Sequence, residues 1–188
     1  MSQENAEIVR LPIAVRARSR RRLLERLALR LPATAAFLIR QLQRVSPHSR
    51  LRQALVRHFI RQGIEALNRR DFEAVFGFYD RDCEFVPFQL PTLGLEGTHG
   101  RNERIRFQQR WVAEWGEFRF EPEEIIDLGD GRRLLLLGRT KGSGLSSGAG
   151  FDGEWAALLT VSTGWIIREE AYFDHAQALE AAGLSDSG

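Results

Sequence analysis

Cysteine is nearly missing from this 188-residue chain: Cys83 stands alone, which excludes an intramolecular disulfide framework and a cysteine-rich zinc site. Long apolar runs are missing too, and no stretch approaches the roughly 20 residues that a membrane-spanning helix needs. The four histidines have no paired spacing and no His-Glu-x-x-His signature, so no metal site is read from them. Lysine is absent from the first 70 residues, where arginine supplies all the positive charge. Apolar residues are not scarce. At 43% hydrophobic and 10% aromatic, the chain can bury a sizeable core, which excludes wholesale disorder.

The formal charge of +2 conceals two opposite halves. Residues 1–70 carry 16 arginines and 4 acidic groups, a formal +12, and residues 71–188 carry 11 basic and 21 acidic groups, a formal −10. Such asymmetry means different surroundings for the two segments, or mutual attraction between them. Residues 1–48 read as a basic extension with two short amphipathic helices, about 18–30 and 33–44. Three readings suit it: a solvated arm whose leucines lie against the acidic domain, a contact with an anionic membrane surface, or a contact with nucleic acid. No nucleic-acid-binding motif accompanies the arginines. The apolar stretch from Leu31 to Ile39 lies too far in for a secretory signal and contains Pro32, so a cytoplasmic location is expected.

Residues 49–188 read as one α+β domain. Leu51, Leu55, Phe59, Ile64 and Leu67 recur at near-helical spacing and predict a helix from about Arg50 to Asn68. Asp71 is a plausible N-cap for a shorter helix reaching Tyr79. A strand at Cys83–Pro87 and a helix from about Arg101 to Trp115 follow. Four strand candidates fill the rest: Phe118–Asp127, Arg132–Lys141, Phe151–Val161 and Trp165–Asp174. The turns Gly129-Asp-Gly131 and Ser162-Thr-Gly164 join them as hairpins. The Gly/Ser-rich stretch 141–150 sits between two strands, without the strand-to-helix context of a phosphate cradle. Helices ahead of a meandering sheet point to α+β, and a curled sheet commonly leaves a pocket at its open end.

From about Gln62 to Leu184 the chain resembles the SnoaL-like branch of the nuclear transport factor 2-like superfamily. The runs that carry the resemblance are Gly63–Asp71, Tyr79–Phe85, Gly94–Gly100, Gly164–Asp174 and Ala178–Leu184. It implies a cone, with a curved antiparallel sheet wrapped around about three helices, often dimeric through the outer sheet face. Members include polyketide cyclases, ketosteroid isomerases, limonene epoxide hydrolases, dehydratases and proteins that only bind or scaffold, so fold alone selects no chemistry.

Alternation puts Arg168, Glu170, Tyr172 and Asp174 on one face of the last strand, lining either a polar pocket or a wet surface. In a pocket, Asp174 or Glu170 would act as general acid or base, Tyr172 would donate to a developing enolate oxygen, and Arg168 would hold an ionised carboxylate. The resemblance implies Asp174 as the first candidate, although that residue also stands where the N-cap of a terminal helix belongs. Glu84, Phe88, His99, Trp111, Trp155 and Arg139 are the candidate ligand-binding residues. Lys141, two positions after Arg139, stands where epoxide hydrolases of this type carry an aspartate, which argues against epoxide hydrolysis. The resulting expectation is acid/base chemistry without a cofactor on a small apolar carbonyl compound, in a homodimer. The alternative is a non-catalytic protein that holds a small hydrophobic ligand or acts as a scaffold.

Overall fold

The computed structural model describes residues 8–15, 20–21, 23–87, 96–145 and 148–184. In chain order the elements are β1 (Val9–Pro12), α1 (Leu23–Arg30), α2 (Pro32–Gln43), α3 (Arg50–Asn68), α4 (Phe72–Phe76), β2 (Tyr79–Pro87), β3 (Thr98–His99), α5 (Arg101–Ala113), β4 (Trp115–Asp127), β5 (Arg133–Gly144), β6 (Gly150–Ser162), β7 (Trp165–Tyr172) and α6 (His175–Ala181). The strands form one curved, unclosed seven-stranded sheet in the order β1-β4-β5-β6-β7-β2-β3. All neighbours are antiparallel except β2 and β7, which run parallel.

Two devices bend the sheet. Glu123 is an extra residue in β4 between the pairs Pro122↔Gly138 and Glu124↔Leu137, and such a bulge kinks a strand and increases its twist. Opposite it, Gly138 lets the backbones close up, since a Cβ there would lie 2.4 Å from the Glu121 carbonyl oxygen.

The middle of β4, β5 and β6 is buried on both faces. Ile125, Leu136, Trp155, Ala157 and Leu159 pack on the concave side against Val56 and Ile64 of α3. Their neighbours Ile126, Leu135, Leu137, Ala156 and Leu158 point the other way and are covered by Ala178 and Ala182 at the terminal helix α6. The continuous apolar runs of β5 and β6 follow from this double burial. Asp174 caps α6 by accepting from the Gln177 N–H at 2.9 Å.

The boundary expected at residue 48 does not separate an arm from a domain. Val9, Leu11 and Ile13 alternate into the concave core, and β1 pairs with β4 as an edge strand that was not expected from the sequence. Helix α2 lies directly on the β6–β7 turn, where Gly164 has φ +89° and a Cβ would stand 1.9 Å from the Ala36 carbonyl oxygen. Ion pairs fasten the segment as well. Arg21 grips Asp71 through two 2.7 Å contacts, and Arg69 meets Glu25 at 2.6 Å. Buried Arg52 binds both oxygens of buried Asp127 at 2.8 and 3.0 Å and donates to the carbonyls of Gln43 and Val45. Along α1 and α2, Leu23, Leu27, Leu31, Phe37 and Leu38 stay exposed among the arginines.

Deleting residues 1–48 therefore removes an edge strand, a helix of the core and several buried side chains worth about 1.5–3 kcal/mol each. Against a typical total stability of about 5–15 kcal/mol, the truncated chain is expected to lose its cooperative thermal transition. A cooperative melt at the full-length temperature would show that the segment adds nothing to the fold.

Candidate functional site

Residues Val56, Ile60, Gly63, Ile64 and Leu67 fall on one side of α3 at helical spacing, and that side does not fully meet the sheet. The gap is a cavity of about 160 Å³, walled on the sheet side by Leu136, Ala157 and Leu159 and roofed by Ile39 and Leu42 of α2. Nothing lies within 4 Å of a Cβ built on Gly63, so this glycine faces open space.

One end of the apolar chamber is polar. Glu169 of β7 receives Arg104 bidentately, Nε at 2.9 Å and Nη2 at 3.0 Å, with both residues buried. The Tyr79 hydroxyl donates to Glu169 Oε2 at 3.0 Å, and Arg104 Nη1 donates to Gln108 Oε1 at 2.9 Å. The guanidinium also stacks on aromatic faces, 3.9 Å from the Phe85 centroid and 4.7 Å from that of Phe76. Burial, and then the adjacent Glu169 charge, push the Tyr79 phenol well above its ordinary range, so it serves as a donor to the carboxylate. The same two causes raise the Cys83 thiol, which leaves it a neutral packing group.

Beyond this pair lies a smaller chamber of about 50 Å³, ringed by Phe85, Phe107, Trp111, Phe120 and Phe173. Leu67, Arg104, Trp155 and Glu169 line both spaces, so the two chambers share a wall. Among the described residues no group of three histidine, cysteine, aspartate or glutamate side chains converges as a metal site would require, and no helix is long and apolar enough to cross a membrane.

The four residues singled out on the last strand lie on the convex side of the sheet, and none of them lines the cavity. Arg168 donates to Glu170 at 2.8 Å and to Glu84 at 2.6 Å, and the Tyr172 hydroxyl donates to Glu170 at 3.0 Å. Tyr172 packs under α6, where burial first and then the Glu170 charge raise its phenol well above the ordinary value. Asp174 is occupied as the α6 cap. Of the candidate ligand-binding residues, Trp111 and Trp155 do line the chambers. Glu84 pairs with Arg168 on the outer face, His99 is exposed opposite Glu84 in β3, and Arg139 is held by Asp152 at 2.8 Å in solvent. Phe88 lies outside the described residues.

Sequence reasoning missed Glu169, Arg104, Tyr79 and Gln108. The usable signal was a lone carboxylate on the otherwise apolar face Glu169–Ala171–Phe173, because the face of a strand that lines a cavity is the apolar one. A second signal was the 104, 107, 108, 111 spacing, which sets Arg104 and Gln108 among aromatic residues on the inner side of α5.

Removing one partner of such a pair leaves a stranded charge, so Arg104→Met is expected to cost about 3–5 kcal/mol in urea unfolding. Adding Glu169→Gln, which still accepts from Tyr79, should recover more than half of that loss. Additive losses in the double variant would show that the two side chains are not energetically coupled.

Comparison with solved structures places this cone among relatives of low sequence similarity. A nuclear transport factor 2-like protein of unknown function from Burkholderia pseudomallei is 24% identical, with a TM-score of 0.56 over 65% of this chain and 93% of its own. TerC, crystallised with polyporic acid, is 22% identical, with a TM-score of 0.55 over 67% of this chain and 96% of its own. A protein with a ketosteroid isomerase-like fold from Catenulispora acidiphila, in complex with trimethylamine, is 16% identical, with a TM-score of 0.53 over 67% of this chain and 92% of its own. Comparison with the curated proteins yields no significant match. The model of the SnoaL-like domain matches residues 60–169, more than half of the sequence, and with the cone already described the chain belongs to the SnoaL-like domain family.

Proposed function

We propose that the protein binds a small, largely apolar molecule inside the cone and holds it without turnover. The observation that carries this reading is the apolar cavity of about 160 Å³, whose only charged lining groups among the described residues, Arg104 and Glu169, neutralise each other. A cavity of this size and lining accommodates a single-ring compound. Acid/base catalysis on a carbonyl compound asks for a carboxylate free to exchange a proton with the ligand. Both oxygens of Glu169 are already engaged, by Arg104 and Tyr79, which favours binding over turnover. The homodimer implied by the family resemblance belongs to the same proposal, and the native mass of the full chain reads it directly.

Gly63→Leu tests the cavity. The new side chain enters open space and replaces a glycine within a helix, so the variant should unfold at higher urea, by about 1 kcal/mol. Ethylbenzene should raise the melting temperature of the parent protein and leave that of Gly63→Leu unchanged. Equal stabilisation of both proteins by ethylbenzene would place binding elsewhere and overturn the reading.

A further inference from the structure

Arg104 fixes which way the Gln108 amide points. Its Nη1 donates to Gln108 Oε1 at 2.9 Å, so the Nε2 of the same amide is turned away from the guanidinium. That Nε2 is buried and has no hydrogen-bond partner. The Thr140 hydroxyl, on β5, is likewise buried and unpartnered. Both residues line the smaller chamber, whose remaining walls are mostly aromatic apart from the Arg104–Glu169 pair, Leu67 and Ala171. Buried amides and hydroxyls in folded proteins are nearly always paired, and two unpaired ones facing a single aromatic space amount to a site awaiting an acceptor.

The local charge narrows what that acceptor is. Arg104 is fully committed to Glu169 and Gln108, so among the described residues lining the chamber no free cation is left to hold an anion. An anionic ligand would also sit close to the Glu169 carboxylate without compensation. We propose that Gln108 and Thr140 are specificity-determining donors that hold the neutral oxygen of a ring-bearing ketone or aldehyde in the aromatic chamber, its apolar body directed toward the main cavity. This inference rests on the cavity-binding reading above and adds the ligand class to it.

Acetophenone and ethylbenzene have nearly the same shape and differ in the acceptor oxygen, which makes their relative affinity the quantity to follow. Calorimetric titration of the full-length protein gives a ratio of dissociation constants for the pair. Thr140→Val removes the hydroxyl at constant volume. Gln108→Glu keeps an acceptor for Arg104 while replacing the donor. Each variant is expected to move the ratio against acetophenone by about tenfold, the size of one buried hydrogen bond, with ethylbenzene affinity nearly constant. Ratios unchanged in both variants, with both compounds still binding, would overturn the donor assignment and leave the cavity reading intact. Failure of the parent protein to bind either compound would overturn the cavity reading itself, and this inference with it. Benzoate binding more tightly than acetophenone would overturn the restriction to neutral ligands.

Discussion

The guanidinium of Arg104 and the carboxylate of Glu169 come from opposite parts of the cone, one from helix α5 and one from strand β7, and meet where water is excluded. A buried pair of this kind survives only when its geometry is good and its remaining donors and acceptors are satisfied. Tyr79, Gln108 and the aromatic faces of Phe76 and Phe85 meet that condition. Their positions are therefore bound to one another, and together they set where α5 sits over the sheet. The division of the interior into a larger apolar chamber and a smaller aromatic one follows from that placement.

The charge asymmetry of the chain has a structural counterpart at the seam between its halves. Arg10 meets Glu124, Arg21 meets Asp71, and Arg52 meets Asp127, each pair joining the basic front segment to the acidic remainder. At Asp71, burial would raise the carboxyl, but hydrogen bonds from Arg21 and Arg69 and from the Ala74 N–H outweigh it and hold the group below the ordinary carboxylate range. The stabilisation it gives is thus present above the ordinary aspartate value and fades only as pH falls through the lowered one. The front segment also roofs the cavity with Ile39 and Leu42, although the family match begins only at residue 60.

Much of the fold was legible because period and punctuation agreed. The helix Arg50–Asn68 was bounded correctly from its apolar spacing, and the four long strands appeared as apolar stretches set off by glycine-containing turns. Strand β1 was not seen, although Val9, Leu11, Ile13 and Val15 alternate, because arginines and a short length masked the period. The parallel pairing of β2 with β7 is set by tertiary contact and has no local signature. The site was less legible for a physical reason. A strand face crowded with Arg168, Glu170 and Asp174 looks like chemistry, yet such a face is compatible with water: Arg168 is taken up by Glu170 and Glu84 on the convex side, and Asp174 caps α6. The face turned inward is apolar, and its single carboxylate carries the information. A bulge at Ile167, which brings Ile166 and Glu169 to the same cavity, further breaks simple alternation.

The most direct measurement of the central claim is a methyl-labelled nuclear magnetic resonance titration of the full-length protein with ethylbenzene. The account predicts shifts confined to methyls of the concave side, such as Ile60, Ile64, Leu136 and Leu159, with those of Leu128 on the convex side and Leu179 in α6 unmoved. Shifts on the convex side alone would contradict it and return attention to the outer face of the sheet.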